Sequence, residues 1–121
     1  MLHAFLSNML IRGRPGVGKD HKRAFELAAA GAALGCAHSK GALGLCYVTG
    51  RGVAQDHAEA VRLYRLAAAQ GHAEAQFNLG DRFEYGRGVA LDRAEAIRWY
   101  RLAAAQGDAD ASAALNRLGA A

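Results

Sequence analysis

The chain repeats itself. Displaced by thirty-six positions, Gly35, Gly71 and Gly107 coincide, as do Leu43, Leu79 and Leu115, and the segment Tyr64 to Gly71 is identical to Tyr100 to Gly107. Gly50, Gly52, Val53, Asp56, Glu59 and Ala60 fall on Gly86, Gly88, Val89, Asp92, Glu95 and Ala96 without a gap. Self-similarity at a fixed period of a few tens of residues marks a stacked array, because one such unit cannot bury its apolar face alone. The fold must therefore be assembled from copies of one small unit.

That unit reads as two helices. Ala75, Leu79, Gly80 and Phe83 lie at i, i+4, i+5 and i+8, the stripe of an amphipathic helix. Gly86 and Gly88 then permit the chain to reverse within a few residues. Asp92 offers an acceptor to the free amides of a second helix, and Glu95 three positions later completes a capping-box pattern that Asp56 and Glu59 share. Ala96, Tyr100, Ala103 and Ala104 form the apolar face of that second helix, which is predicted to stop at Gly107. Gly80, with Gly44 before it, lets two helix backbones approach closely. The fold class is all-α.

The register also extends backwards. Gly16, Val17, Asp20, Ala24 and Leu27 precede Gly52, Val53, Asp56, Ala60 and Leu63 by thirty-six residues, which predicts a helix from Asp20 to Leu34. With Pro15 counted as an insertion, Leu6, Ile11 and Gly13 align with Leu43, Val48 and Gly50, so residues 2–12 are expected to form a degraded first helix. The expected organisation is one domain: a degraded repeat over 1–34, repeats over 35–70 and 71–106, and a closing helix over 107–118. That makes three helix pairs and a seventh helix. Asn116 in the last helix and Ser7 in the first replace the close-contact glycines, as suits the ends of an array.

Composition agrees with a folded domain: 121 residues, 52% apolar and 21% charged, with a single Pro. The net charge of +4 is uneven, since five of the fifteen Lys and Arg but one of the eleven acids precede residue 24, leaving ten of each. The repeats are neutral, and their arginines recur on helix faces as Arg62, Arg65, Arg98 and Arg101. A phosphate-tracking groove needs clustered bases with aromatic platforms, so no nucleic-acid partner is expected.

Gly-His-Ala-Glu-Ala-Gln-Phe-Asn-Leu-Gly at 71–80, Tyr-Gly-Arg-Gly-Val at 85–89, then Asp92, Ala96, Trp99-Tyr100 and Ala103-Ala104 up to Gly107 resemble the consensus of the Sel-1-like repeat. The resemblance is strong over residues 35–118 and moderate over 13–34. It implies a right-handed αα-solenoid related to tetratricopeptide repeats, whose members are adaptors or scaffolds in complex assembly, quality control and bacterial signalling. It also implies that the first helix of each pair lines a concave binding face. On the tetratricopeptide pattern the inward positions are Glu74, Phe77, Asp81 and Glu84, with His38, Leu45 and Thr49 before them and Asp110 and Arg117 after. The centre is acidic with one exposed aromatic, so a partner peptide with Lys or Arg beside an apolar anchor is expected. The structural positions are Gly44, Gly80, Gly50, Gly52, Gly86, Gly88, Leu43, Leu79, Tyr64 and Tyr100. In cysteine-rich members of the family bridges staple the repeats; Cys36 stands in a comparable place but has no partner nearby.

Chemistry-bearing motifs are weaker. Residues 13–20 fit G-x-x-x-x-G-K, a phosphate-binding loop, but Asp20 stands where magnesium binding needs Ser or Thr, and the repeat already explains Gly13, Gly16, Val17 and Asp20 as turn and cap. Nucleotide binding there is a remote alternative. His3, His21, His38, His57 and His72 are at least fifteen residues apart, so no helix face carries an i, i+4 ligand pair, and they read as solvated or capping. Asp81 with Glu84, and Asp108 with Asp110, read as surface acids. Tyr100 reads as core and Trp99 as a partly exposed interface residue. Cys36 and Cys46, on one helix and roughly 15 Å apart along its axis, cannot bridge each other. No metal, cofactor or catalytic residue is expected. Residues 1–6 make a poor signal peptide and no stretch is long enough to span a membrane, so a cytoplasmic location in a bacterium is expected, with periplasm or secretion as the alternative. Besides the binding module, a purely structural segment is the second functional expectation, either the truncated end of a longer array or one half of a homo-oligomer formed through residues 1–11.

Overall fold

The computed structural model describes residues 17–120. Six α-helices follow one another: α1 (Val17–Ala33), α2 (Ala37–Thr49), α3 (His57–Ala69), α4 (Ala73–Tyr85), α5 (Arg93–Ala105) and α6 (Ala109–Arg117). Each packs against its successor, and no strand occurs among the described residues. The chain is an all-α solenoid. The expected helix over 2–12, the self-association surface over 1–11 and residues 13–16 of the loop lie outside the described residues. Val17 to Asp20 are already helical, which corrects the sequence expectation that Asp20 caps this helix from outside. Asp20 instead sits in its first turn, where a carboxylate favours the positive end of the helix dipole.

Local signals set the helix ends. Asp56 Oδ1 accepts from the Glu59 amide at 3.1 Å, and Asp92 Oδ1 from the Glu95 amide at the same distance. The capping box is only half made, because the amides of Asp56 and Asp92 already donate across the turn to the carbonyls of Tyr47 and Phe83. Glu59 and Glu95 therefore pair with Arg62 and Arg98, three residues on. The second helix of each pair ends in a Schellman motif: the His72 amide donates to the Ala67 carbonyl and the Asp108 amide to that of Ala103.

Side-chain size decides how the helices stack. The Tyr64 ring packs on Gly44 and the Tyr100 ring on Gly80, so close that a Cβ at Gly80 would come within 2.7 Å of the Tyr100 ring and within 3.2 Å of the Ala96 carbonyl. Both tyrosines are buried, with Leu79, Phe83, Ala96 and Ala103 completing the larger core. A smaller cluster of Ala28, Leu43 and Leu63 joins α1 to the next pair, edged by Phe25 against Tyr47 at 5.8 Å. A second close contact runs between pairs. Gly52 rests on the backbone of His21 in α1, and Gly88 on that of His57 in α3, where any Cβ would collide with the carbonyl. Both glycines hold positive φ, so they serve the turn and the packing at once.

Two glycine substitutions separate propensity from packing. Gly41 is helical but open, its nearest neighbour to a new Cβ being the His72 ring at 3.7 Å. Gly41→Ala should stabilise the chain by about 1 kcal/mol, the ordinary helix gain. Gly80→Ala carries the same gain but should still lose about 1–3 kcal/mol, because the core must part to admit the methyl. Urea denaturation followed by circular dichroism measures both.

Candidate functional site

The N-terminal halves of α2 and α4 border a groove of about 190 Å³, lined by His38, Gly41, Ala42, Leu45, His72, Glu74, Ala75 and Asn78. Its floor is small because Gly41, Ala42 and Ala75 carry little side chain. Leu45 forms an apolar wall, 46% exposed and without a covering neighbour large enough to bury it. Phe77 stands thirty-six residues after Gly41, which contributes no side chain to the groove. His38 and His72 meet at the rim with ring centroids 5.6 Å apart and planes at 80°. Glu74 lies beside them, exposed and in no ion pair among the described residues.

Three of the residues expected on the binding face, His38, Leu45 and Glu74, line this groove. The others do not join them. Phe77 is half-buried against the core, its ring 5.6 Å from that of Tyr100, which corrects the expectation of an exposed aromatic anchor. Thr49 ends α2 with its hydroxyl donating to the Leu45 carbonyl at 2.9 Å. Asp81 accepts from Arg82 at 3.0 Å, and Asp110 is exposed in the first turn of α6.

Glu84 and Arg117 are engaged with each other. The Glu84 carboxylate, with 6% of its side chain exposed, takes both guanidinium nitrogens of Arg117 at 2.6 and 2.9 Å and the Tyr100 hydroxyl at 2.6 Å. This bidentate clasp fastens α6 to α4 and α5. Arg117 first, and the Tyr100 hydroxyl with it, hold the Glu84 carboxyl below the usual carboxylate range against the opposing effect of burial. Burial, then the hydrogen bond to Glu84, pushes the Tyr100 phenol far up, while burial alone dominates at Tyr64 and pushes it up to about 12. Two expected surface acids, Asp81 and Glu84, are thus neutralised, and Glu74 remains the free acid of the groove.

Sequence reasoning missed Arg82. It is 8% exposed, pairs with Asp81 and brings one nitrogen within 3.4 Å of His57 Nδ1 on α3. Its register position holds Cys46 one repeat earlier, so periodicity gave no signal for it. Trp99 is half-buried with the Arg98 guanidinium 5.1 Å above its ring. Cys36 stands at the N-cap position of α2 and Cys46 is buried within it, both free thiols. Among the described residues no cluster of three or more His, Cys, Asp or Glu is placed to hold a metal, and no helix is long and apolar enough to cross a membrane.

Comparison with known proteins gives the geometry its context. The sequence profile of the Sel1 repeat matches residues 3–36, 38–72 and 73–108. A protective antigen of uropathogenic Escherichia coli displaying an SLR fold is 35% identical and superimposes with a TM-score of 0.84, over 97% of this chain and 24% of that one. A Sel1 repeat protein of Oxalobacter formigenes is 32% identical with the same TM-score, over 96% of this chain and 44% of that one. Cysteine-rich protein B of Helicobacter pylori, at 18% identity and a TM-score of 0.75 over 94% of this chain and 90% of that one, shares the fold. The chain spans less than half the length of the first two. A search of curated proteins found no match.

The clasp makes a measurable claim. Tyr100→Phe removes one charge-assisted hydrogen bond from a buried carboxylate and should cost about 1.5 kcal/mol in urea denaturation at neutral pH. Because Glu84 titrates below its ordinary value when folded, its contribution is complete above the ordinary carboxylate range and is lost as pH falls through the depressed folded value. Arg117→Ala should therefore be less stable than the wild type at neutral pH, and the two should converge in strong acid.

Proposed function

The chain belongs to the Sel1 repeat family, whose members are generally protein-interaction modules, and from that premise we propose that it binds a protein or peptide partner in the groove between α2 and α4. The observation that carries the reading is the coincidence, at one opening, of an exposed Leu45, a floor of Gly41, Ala42 and Ala75, and an unpaired Glu74. The opening accepts an aliphatic side chain, and Glu74 is placed to attract a Lys or Arg beside it. The partner is therefore a segment with an apolar anchor next to a base.

This reading narrows the expected acidic face to a single acid. Asp81 and Glu84 are occupied by Arg82 and Arg117, so the charge that selects a cation is local to Glu74. Apolar burial of the anchor supplies most of the affinity in such a site, while the rim charge acts on encounter and register. The scaffold's role is to hold the two helix starts apart at a fixed distance.

An array of immobilised synthetic peptides tests it. The wild-type chain should retain peptides in which Leu, Ile or Val adjoins Lys or Arg, and Leu45→Asp with Glu74→Lys should lose that set while keeping its melting temperature within a few degrees, since both side chains are exposed. Retention of the same peptides by the double variant would falsify the assignment.

A further inference from the structure

The rim of the groove carries two histidines in direct contact, and no part of the packing explains why they are there. Their rings meet edge to face at 5.6 Å across two helices, and among the described residues neither ring makes a hydrogen bond that would fix it as a structural pin. His72 is at the N-cap position of α4, where a Ser, Asp or Asn would accept a helix amide, yet its side chain makes no cap bond. A Cβ added at Gly41 on α2 would meet its ring at van der Waals distance. The titratable or charged groups bearing on His72 are Glu74 from its own helix and His38 from α2.

We propose that His38 and His72 form a proton-operated release for the groove: neutral, they admit a cationic and apolar partner segment, and protonated, they make the rim cationic and expel it. The proposal rests on the partner reading above and adds its regulation. Histidine is the side chain whose charge changes between neutral and mildly acidic solution. Two imidazolium rings at this separation repel each other and repel any Lys or Arg drawn to Glu74. Burial already disfavours the charged form of His72; Glu74 opposes that effect and His38 adds to it. A partner cation that neutralises Glu74 removes the group favouring the imidazolium, so proton and partner compete, and by linkage each weakens the other.

Two measurements test it. In the free chain, the His72 ring resonance is followed by NMR between about pH 8 and pH 5; His38→Gln should raise the His72 midpoint, because a repelling neighbour is gone. An unmoved midpoint overturns the coupling. The probe for binding is the peptide Gly-Leu-Lys-Leu-Gly-amide carrying tetramethylrhodamine on its N-terminal amine, so that the lysine keeps its charge and the dye its emission over this range. Its affinity should fall about tenfold between pH 7.5 and pH 5.5 in the wild type. Taken relative to each protein's own affinity at pH 7.5, the fall should be reduced to less than about threefold in His38→Gln with His72→Gln. Binding at pH 7.5 that is unchanged at pH 5.5, or a fall that persists in the double variant, overturns the release while leaving the partner reading intact. Failure of the peptide to bind at pH 7.5 overturns the partner reading, and the release with it.

Discussion

How near two helices can come decides the rest of this structure. At Gly44 and Gly80 a tyrosine ring replaces the side chain that the glycine lacks, and the ring touches helix backbone directly. Leucine or alanine at these glycines would push the paired helix outward and tilt every later element with it. The ring also fixes what happens at its far end. Tyr100 delivers its hydroxyl to Glu84, and Glu84 in turn secures Arg117 of the last helix. One repeat earlier Val48 occupies the position of Glu84, so the same tyrosine geometry there builds no clasp.

The second glycine contact transmits the stacking from pair to pair. Gly52 on His21 and Gly88 on His57 place each turn against the start of the preceding second helix. With both contacts made, the starts of α2 and α4 are held at a fixed spacing, and Gly41 contributes no side chain to the groove they border. The repeat is imperfect here: a uniform array would have carried the same bulk at Gly41 as at Phe77.

Most of the fold was legible because periodicity compares equivalent positions. Gly44 and Gly80, the two turns, Asp56, Asp92 and the Schellman stops all recur at thirty-six residues, and each has one physical cause that residue type alone reveals. Contacts between non-equivalent positions left no such trace. His38 is the register mate of Glu74, and His72 of Cys36, so their meeting is invisible to a shift of the chain against itself. The same holds for Glu84 with Arg117 and Gln106 with Gln76, separated by 33 and 30 residues. Three groove residues, His38, Leu45 and Glu74, were anticipated as inward-facing, but the sequence placed Phe77, Asp81 and Glu84 beside them. It could not show that a ring, an arginine and a clasp had already taken those three. The half-made capping box has the same origin, since the amide that Glu59 would reach is claimed by a carbonyl nine residues earlier.

The dependence of the fold on the glycine–tyrosine contact is tested most directly by a double-mutant cycle between Gly80→Ala and Tyr100→Leu, read by urea denaturation. If the ring is what the methyl collides with, the alanine should cost at least about 1 kcal/mol less in the Tyr100→Leu background than in the wild type. Additivity of the two substitutions within about 0.5 kcal/mol would contradict the account, because Gly80 would then be required for some reason other than the tyrosine that lies on it.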